Sequence, residues 1–211
     1  MTITTNGLGK RFNREWIFRK FNYSFQTEKI YAVTGPNGSG KSTLMQVLWG
    51  QSLPTAGTLY YHGQGNEIPV TEIYNHISIA TPYMDLIDEF TLQEQIDFHF
   101  KIKEVRNGFR LDELPEIMYL HAARKKQIGN FSSGMRQRLK LGLAFYTKAD
   151  IIFLDEPGTN LDKQAFNWYL EQLQIIKPNS LIIIASNNPD EYPEAFQIIN
   201  ISDFKWLTMR T

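Results

Sequence analysis

Three short runs of apolar residues, Ile30–Thr34, 151–154 and Leu181–Ala185, are bounded by polar residues and separated by stretches of helical character. Runs of this length without polar alternation suit strands covered on both faces. Their alternation with helical segments predicts an α/β domain around a largely parallel sheet. Residues 21–25, Phe-Asn-Tyr-Ser-Phe, instead alternate apolar with polar, the period-two pattern of a half-exposed antiparallel strand, and 58–61 are expected in the same lobe. The middle of the chain, roughly 84–148, lacks β-branched runs and carries interspersed charges. Helices are expected there over Leu92–Ile102, 111–120 and Ser133–Tyr146, as a helical lobe inserted into the α/β core, with another over Lys41–Leu48. The whole chain, 1–211, reads as one domain.

Composition narrows this picture. With 42% hydrophobic and 13% aromatic residues, the chain can build a substantial core and is unlike a disordered sequence. Lys plus Arg number 22 and so do Asp plus Glu, so no global field draws the protein to nucleic acid, which is not expected as a partner. The absence of cysteine excludes disulfides and thiolate metal sites and fits a reducing compartment. The first seven residues lack the basic stretch and apolar run of a signal peptide, and no run approaches eighteen apolar residues. The chain is therefore expected to reach a membrane only through a partner.

The clearest chemistry lies between the first buried strand and the Lys41–Leu48 helix. Gly35, Pro36, Asn37, Gly38, Ser39, Gly40, Lys41, Ser42 and Thr43 satisfy the pattern G-x-x-x-x-G-K-[ST]. The glycines let successive backbone N–H groups converge on phosphate oxygens, and the helix N-terminus adds a positive dipole end. Lys41 is expected at the β- and γ-phosphates, the Ser42 hydroxyl on Mg²⁺ and Thr43 at the α-phosphate. A glycine-rich turn that fits by chance is the alternative, and the flanking strand and helix argue against it.

Three further motifs follow in order: Phe131-Ser132-Ser133-Gly134-Met135, then Asp155-Glu156-Pro157 after an apolar run, then Gly158-Thr159-Asn160-Leu161-Asp162. Together with the phosphate loop they resemble the ABC-type ATPases, and the resemblance covers essentially the whole chain. It implies a P-loop fold of ABC type, with an antiparallel β lobe and an inserted helical lobe. It also implies ATP and Mg²⁺ as ligands, and an ATP-sandwiched dimer with a second copy or a paralogous ATPase. In the signature Ser132, Ser133, Gly134 and Met135, Ser132 and the Gly134 backbone would contact the γ-phosphate held by that second subunit, although the family's LSGGQ has become FSSGM; an ordinary capped helix is the alternative. Asp155, with Ser42, would hold Mg²⁺, and Glu156 would act as general base. Leu161 and Asp162 would lie in the loop that crosses the dimer interface; a solvated turn is the alternative. Phe12 stands where the family stacks an aromatic on adenine, with Trp16 as rival, and either could simply pack in the antiparallel lobe.

Two further positions depart from the family. Asn187 replaces the switch histidine; its amide can donate a hydrogen bond to the γ-phosphate but cannot titrate near neutral pH. Pro82 stands where the family has a glutamine, with Tyr83 next, so hydrolysis is less firmly implied than binding. The apolar stretch 83–92 falls where a membrane subunit would insert a coupling helix, unless it is core packing between lobes. The resemblance thus implies the ATP-hydrolysing subunit of a two-part transporter, cytoplasmic and attached to the inner membrane face through a membrane-spanning partner. A soluble ABC ATPase or a weakly hydrolysing, nucleotide-gated assembly module are the alternatives.

Overall fold

The computed structural model describes residues 1–205. A hairpin of β1 (Thr2–Phe12) and β2 (Glu15–Gln26) leads to β3 (Ile30–Thr34) and α1 (Lys41–Leu48). β4 (Ala56–Gly63), β5 (Asn66–Ile68) and β6 (Ile77–Ala80) follow, then α2 (Leu92–Ile102), α3 (Leu114–Ile117) and α4 (Ser133–Tyr146). The chain closes with β7 (Ile151–Asp155), α5 (Lys163–Ile176), β8 (Leu181–Ala185) and β9 (Gln197–Asn200). Two sheets result: an antiparallel one in the order β2-β1-β4-β5, and an all-parallel one in the order β6-β7-β8-β3-β9. The expected α/β core, antiparallel lobe and inserted helical lobe are all present.

The buried strands serve two cores at once. Ile152, Leu154, Ile182 and Ile184 face α4, α5 and the helical lobe, while Ile151, Phe153, Leu181 and Ile183 face α1 and the antiparallel sheet. Alternation of side chains across the pleat explains why these strands show no polar alternation in sequence. In β2 the alternation is visible, with Phe21 and Phe25 buried and Asn22 and Ser24 exposed.

The expected helix over 111–120 is shorter, confined to Leu114–Ile117. Pro115 has no N–H to give and sits in its first turn, while Tyr119 at φ 54° reverses the chain two residues past its end. The stretch 83–92 divides. Leu86 lies in the large core with Met84 and Phe90 partly buried against it, whereas Tyr83 is 87% exposed. Among the described residues no helix is long and apolar enough to cross a membrane.

Candidate active site

β3 ends between β8 and the edge strand β9 of the parallel sheet and hands the chain to the loop 35–43. Gly40 stands at φ 110° as the residue before α1, and a Cβ there would collide with Ile17. Ser39 N–H donates to the Pro36 carbonyl at 2.9 Å, closing the turn that points successive amides inward. Lys41 is buried, and its Nζ donates to the Gly35 carbonyl at 2.7 Å, so the ammonium is held inside the loop's curve. The loop borders a cleft of about 400 Å³ whose lining includes Lys41, Ser42, Thr43, Glu156 and Tyr83.

The two carboxylates arrive on β7. Asp155 is buried at the strand's last position, next to Ser42. Burial pushes its carboxyl up, the Ser42 hydroxyl holds it down, the neighbouring Glu156 raises it and Lys41 lowers it. Glu156 leaves the sheet at φ 47°, a left-handed conformation unfavourable for a residue with a side chain. Its N–H donates to the Ala185 carbonyl at 2.8 Å, and the next residue's carbonyl accepts from the Gln137 amide at 2.9 Å. This held strain turns one acid toward Ser42 and the next into the cleft.

Asn187 lies two residues past β8. Its Oδ1 accepts from the Gly35 N–H at 3.0 Å and its Nδ2 faces Asn37 Oδ1 at 3.4 Å. The residue read from the frame as the histidine's replacement therefore touches the phosphate loop itself. Phe12 and Trp16 line an adjoining cleft of about 520 Å³ together with Ile17 and Gly38. Trp16 is occupied: Arg11 and Arg19 lie 5.4 and 4.7 Å from its ring centre, and the ring packs on Gly9, where a Cβ would stand 3.0 Å away. Phe12 is 49% exposed and has Lys10 at 5.1 Å, which leaves it the more available platform.

The signature is elsewhere. Ser132 caps α4, its Oγ accepting from the Met135 N–H at 3.3 Å, and a Cβ on Gly134 would stand 2.8 Å from the Asn160 carbonyl. Ser132, Ser133, Gly134 and Met135 line neither cleft beside the phosphate loop. Leu161 packs against the large core, and Asp162 caps α5 by accepting from the Ala165 N–H at 2.8 Å, an ordinary helix-capping role. Pro82 brings no polar side chain, but Lys140 of α4 donates to its carbonyl at 2.7 Å and faces that of Thr81 at 3.4 Å. Lys140 carried no signal in the sequence, sharing its helix with the basic Arg136 and Arg138. Tyr83 stood out in the sequence as the residue after Pro82 and the start of the apolar stretch 83–92, not as a lining of the phosphate cleft.

A family profile described as ABC transporter matches residues 18–159. The chain belongs to the ABC transporter family. Among curated ABC relatives, the uncharacterized ATP-binding protein YcbN of Bacillus subtilis is 29% identical over 174 residues, 82% of this chain and 57% of its own. The Nod factor export ATP-binding protein I of Ralstonia nicotianae is 25% identical over 88% of this chain and 59% of its own. This ABC chain thus spans somewhat more than half the length of those two relatives. YybJ of Bacillus subtilis, 26% identical, is matched over 90% of this chain and 87% of its own. Of solved ABC structures, a putative ATP-binding protein from Pyrococcus furiosus superposes with a TM-score of 0.82 at 19% identity, covering 98% of this chain and all of that one. A dimeric ATP-binding cassette bound to ADP and Pi also gives 0.82, at 17% identity, over 95% and 94%. At these identities the likeness is one of fold.

Proposed function

We propose that the chain binds MgATP on the loop 35–43 and hydrolyses it in a dimer, energising a separate membrane-spanning transport subunit. The observation that carries this reading is the convergence of three strand ends. β3 supplies Lys41, Ser42 and Thr43, β7 supplies Asp155 and Glu156, and the segment after β8 supplies Asn187 against Gly35. Catalytic groups at the carboxyl ends of adjacent parallel strands are the expected arrangement in an open α/β sheet.

The residues present fit a nucleotide and its metal. The positive-φ glycines leave the loop amides uncovered, and Asp155 is a buried acid adjoining a hydroxyl. Ser42 and Asp155 would hold Mg²⁺, which when bound neutralises phosphate charge. Lys41 turns its ammonium from the loop carbonyls to the triphosphate, Thr43 binds at the α-phosphate, and Phe12 stacks on adenine. Glu156 takes the proton of the attacking water, and Asn187 donates its amide hydrogen to the γ-phosphate. Because the signature lies outside the chain's own clefts, the exposed N-terminus of α4, with Ser132 and the Gly134 backbone, serves a nucleotide on a facing subunit, a second copy or a paralogue. Leu161 and Asp162 lie at that interface. The transport role is supported by the names of relatives such as the Nod factor exporter and a bacitracin transport protein of Enterococcus faecalis. In this reading the chain would sit on the inner membrane face beside its partner.

Titration calorimetry of wild type and Lys41→Ala tests the site. Loss of one charge-assisted contact of about 1.5–3 kcal/mol predicts MgATP binding at least roughly tenfold weaker. Unchanged affinity rejects the assignment. Co-purification of a multi-span protein from native membranes tests the transport role, and capture of only soluble proteins contradicts it.

A further inference from the structure

Behind the two loops that meet at the phosphate cleft lies a carboxylate that the proposed hydrolysis does not use. Glu191 ends a short 3-10 turn, Pro189–Glu191, and is 6% exposed. Its backbone is gripped twice: the N–H donates to the Asn188 carbonyl at 3.1 Å, and the carbonyl accepts from the Tyr169 hydroxyl at 2.7 Å. The side chain is thereby aimed at the turn that follows Glu156. A Cβ placed on Gly158 would stand 2.5 Å from Glu191 Oε1 and 2.9 Å from its Cδ, so the missing side chain of Gly158 is the carboxylate's seat.

Burial raises the Glu191 carboxyl; the Ser186 hydroxyl and the Gly158 N–H lower it, Glu156 raises it, and Asn188 lowers it slightly. Yet Oε2 is buried without a hydrogen bond of ordinary geometry. An apolar side chain of the same size would fill the space without that unpaired oxygen. The groups around the carboxylate belong to the two loops of the site. Gly158 lies two residues beyond Glu156, while Ser186 and Asn188 flank Asn187. The loops also meet through the backbone, where Glu156 N–H donates to the Ala185 carbonyl.

We infer that Glu191 is a positioning residue, which locks the Glu156 turn to the Asn187 loop so that base and amide face the γ-phosphate in one fixed geometry. The inference rests on the proposed roles of Glu156 and Asn187.

The test compares MgATP affinity, steady-state phosphate release and thermal midpoint in the purified chain. Glu191→Ala is expected to lower kcat by about tenfold with the MgATP Kd within about twofold, because the loop 35–43 is left intact. Glu191→Gln keeps an acceptor for the Gly158 N–H and is expected within about threefold of wild type. Gly158→Ala, whose Cβ takes the carboxylate's seat, should slow turnover as Glu191→Ala does. The double variant should be no slower than Glu191→Ala alone, as two changes to one contact are not additive. If Glu191→Ala does not fold, Gly158→Ala and Glu191→Gln carry the comparison. Wild-type turnover in Glu191→Ala or Gly158→Ala overturns the inference. So does a fall in affinity and thermal midpoint parallel to kcat, without rescue by glutamine, since that marks a filler. Glu156→Gln, assayed alongside, separates the two levels. If it hydrolyses normally, the reading of the site itself falls, and the inference with it; if it is inactive while Glu191→Ala is normal, only the inference falls.

Discussion

Asn187 shows how one side chain can keep a position in a site while changing its chemistry. Its amide spans from Gly35 to Asn37, so it is already oriented by the loop on which the phosphates are proposed to lie. A histidine at that point could also donate, but it would titrate near neutrality, which an asparagine does not. Turnover is therefore expected to be slow, with no contribution from this position to any pH dependence between about 6 and 7. Asn187→Ala should reduce the rate by roughly fivefold, about the 1 kcal/mol of one hydrogen bond. Asn187→His should raise it. Steady-state rates at saturating ATP provide the check, and an alanine variant as fast as wild type removes Asn187 from the mechanism. Lys140 makes a related point. With proline at residue 82, the polar link between helical lobe and site runs from a lysine on α4 to backbone carbonyls.

The helices bury apolar faces in the core, and side-chain contacts fix several of their ends. α2 begins with a reciprocal cap, in which Thr91 accepts from the Glu94 N–H and the Glu94 carboxylate accepts from the Thr91 N–H at 2.7 Å. Its other end is held by His99, whose Nε2 lies 2.8 Å from the Thr147 hydroxyl just past α4. Burial, with a smaller push from Lys103, lowers the His99 pKa to about 4. The unfolded chain then binds this proton first, near pH 6.5, so stability falls as pH drops from about 6.5 to 4 and levels off below. The loss from this group is on the order of 3 kcal/mol. Melting midpoints across that window should fall less steeply in His99→Gln than in wild type; identical slopes would contradict the assignment. The short helix Leu114–Ile117 has Pro115 in its first turn and no side-chain cap, and the reversed Tyr119 follows two residues past its end.

At the scale of the whole molecule, the parallel sheet separates two apolar cores, and the strand ends on one edge carry the proposed chemistry. The residues at the α4 N-terminus line neither of the two clefts beside the phosphate loop, and their proposed nucleotide is one on a facing subunit. With formal charges balanced at 22 and 22, no overall field assists association, so the nucleotide is expected to supply the bridge. Glu156→Gln removes the base while leaving Ser42 and Asp155 in place. It is expected to double in mass by light scattering when MgATP is added and to stay monomeric without it. The same mass in both conditions would contradict the sandwich.

The nine-residue pattern from Gly35 to Thr43, the acids after a strand-length apolar run and the Ser132 cap were legible because each is local. Phosphate binding, strand termination and helix capping demand particular residue types at short fixed spacings, and the structure keeps those spacings. The fold class was legible for the same reason, since the burial of β3, β7 and β8 on both faces is written in their composition. Two other strands were not. β1 holds polar and glycine residues through its register shifts, and β9 exposes Ile198, so neither announces itself as a strand. Nothing local marks which distant groups meet. Asn187 on Gly35, Lys140 on Pro82 and Glu191 against Gly158 join residues 152, 58 and 33 positions apart. Motif spacing reports backbone geometry over a few residues, whereas the order of strands in the sheet decides which loops become neighbours, and only the folded chain contains that order.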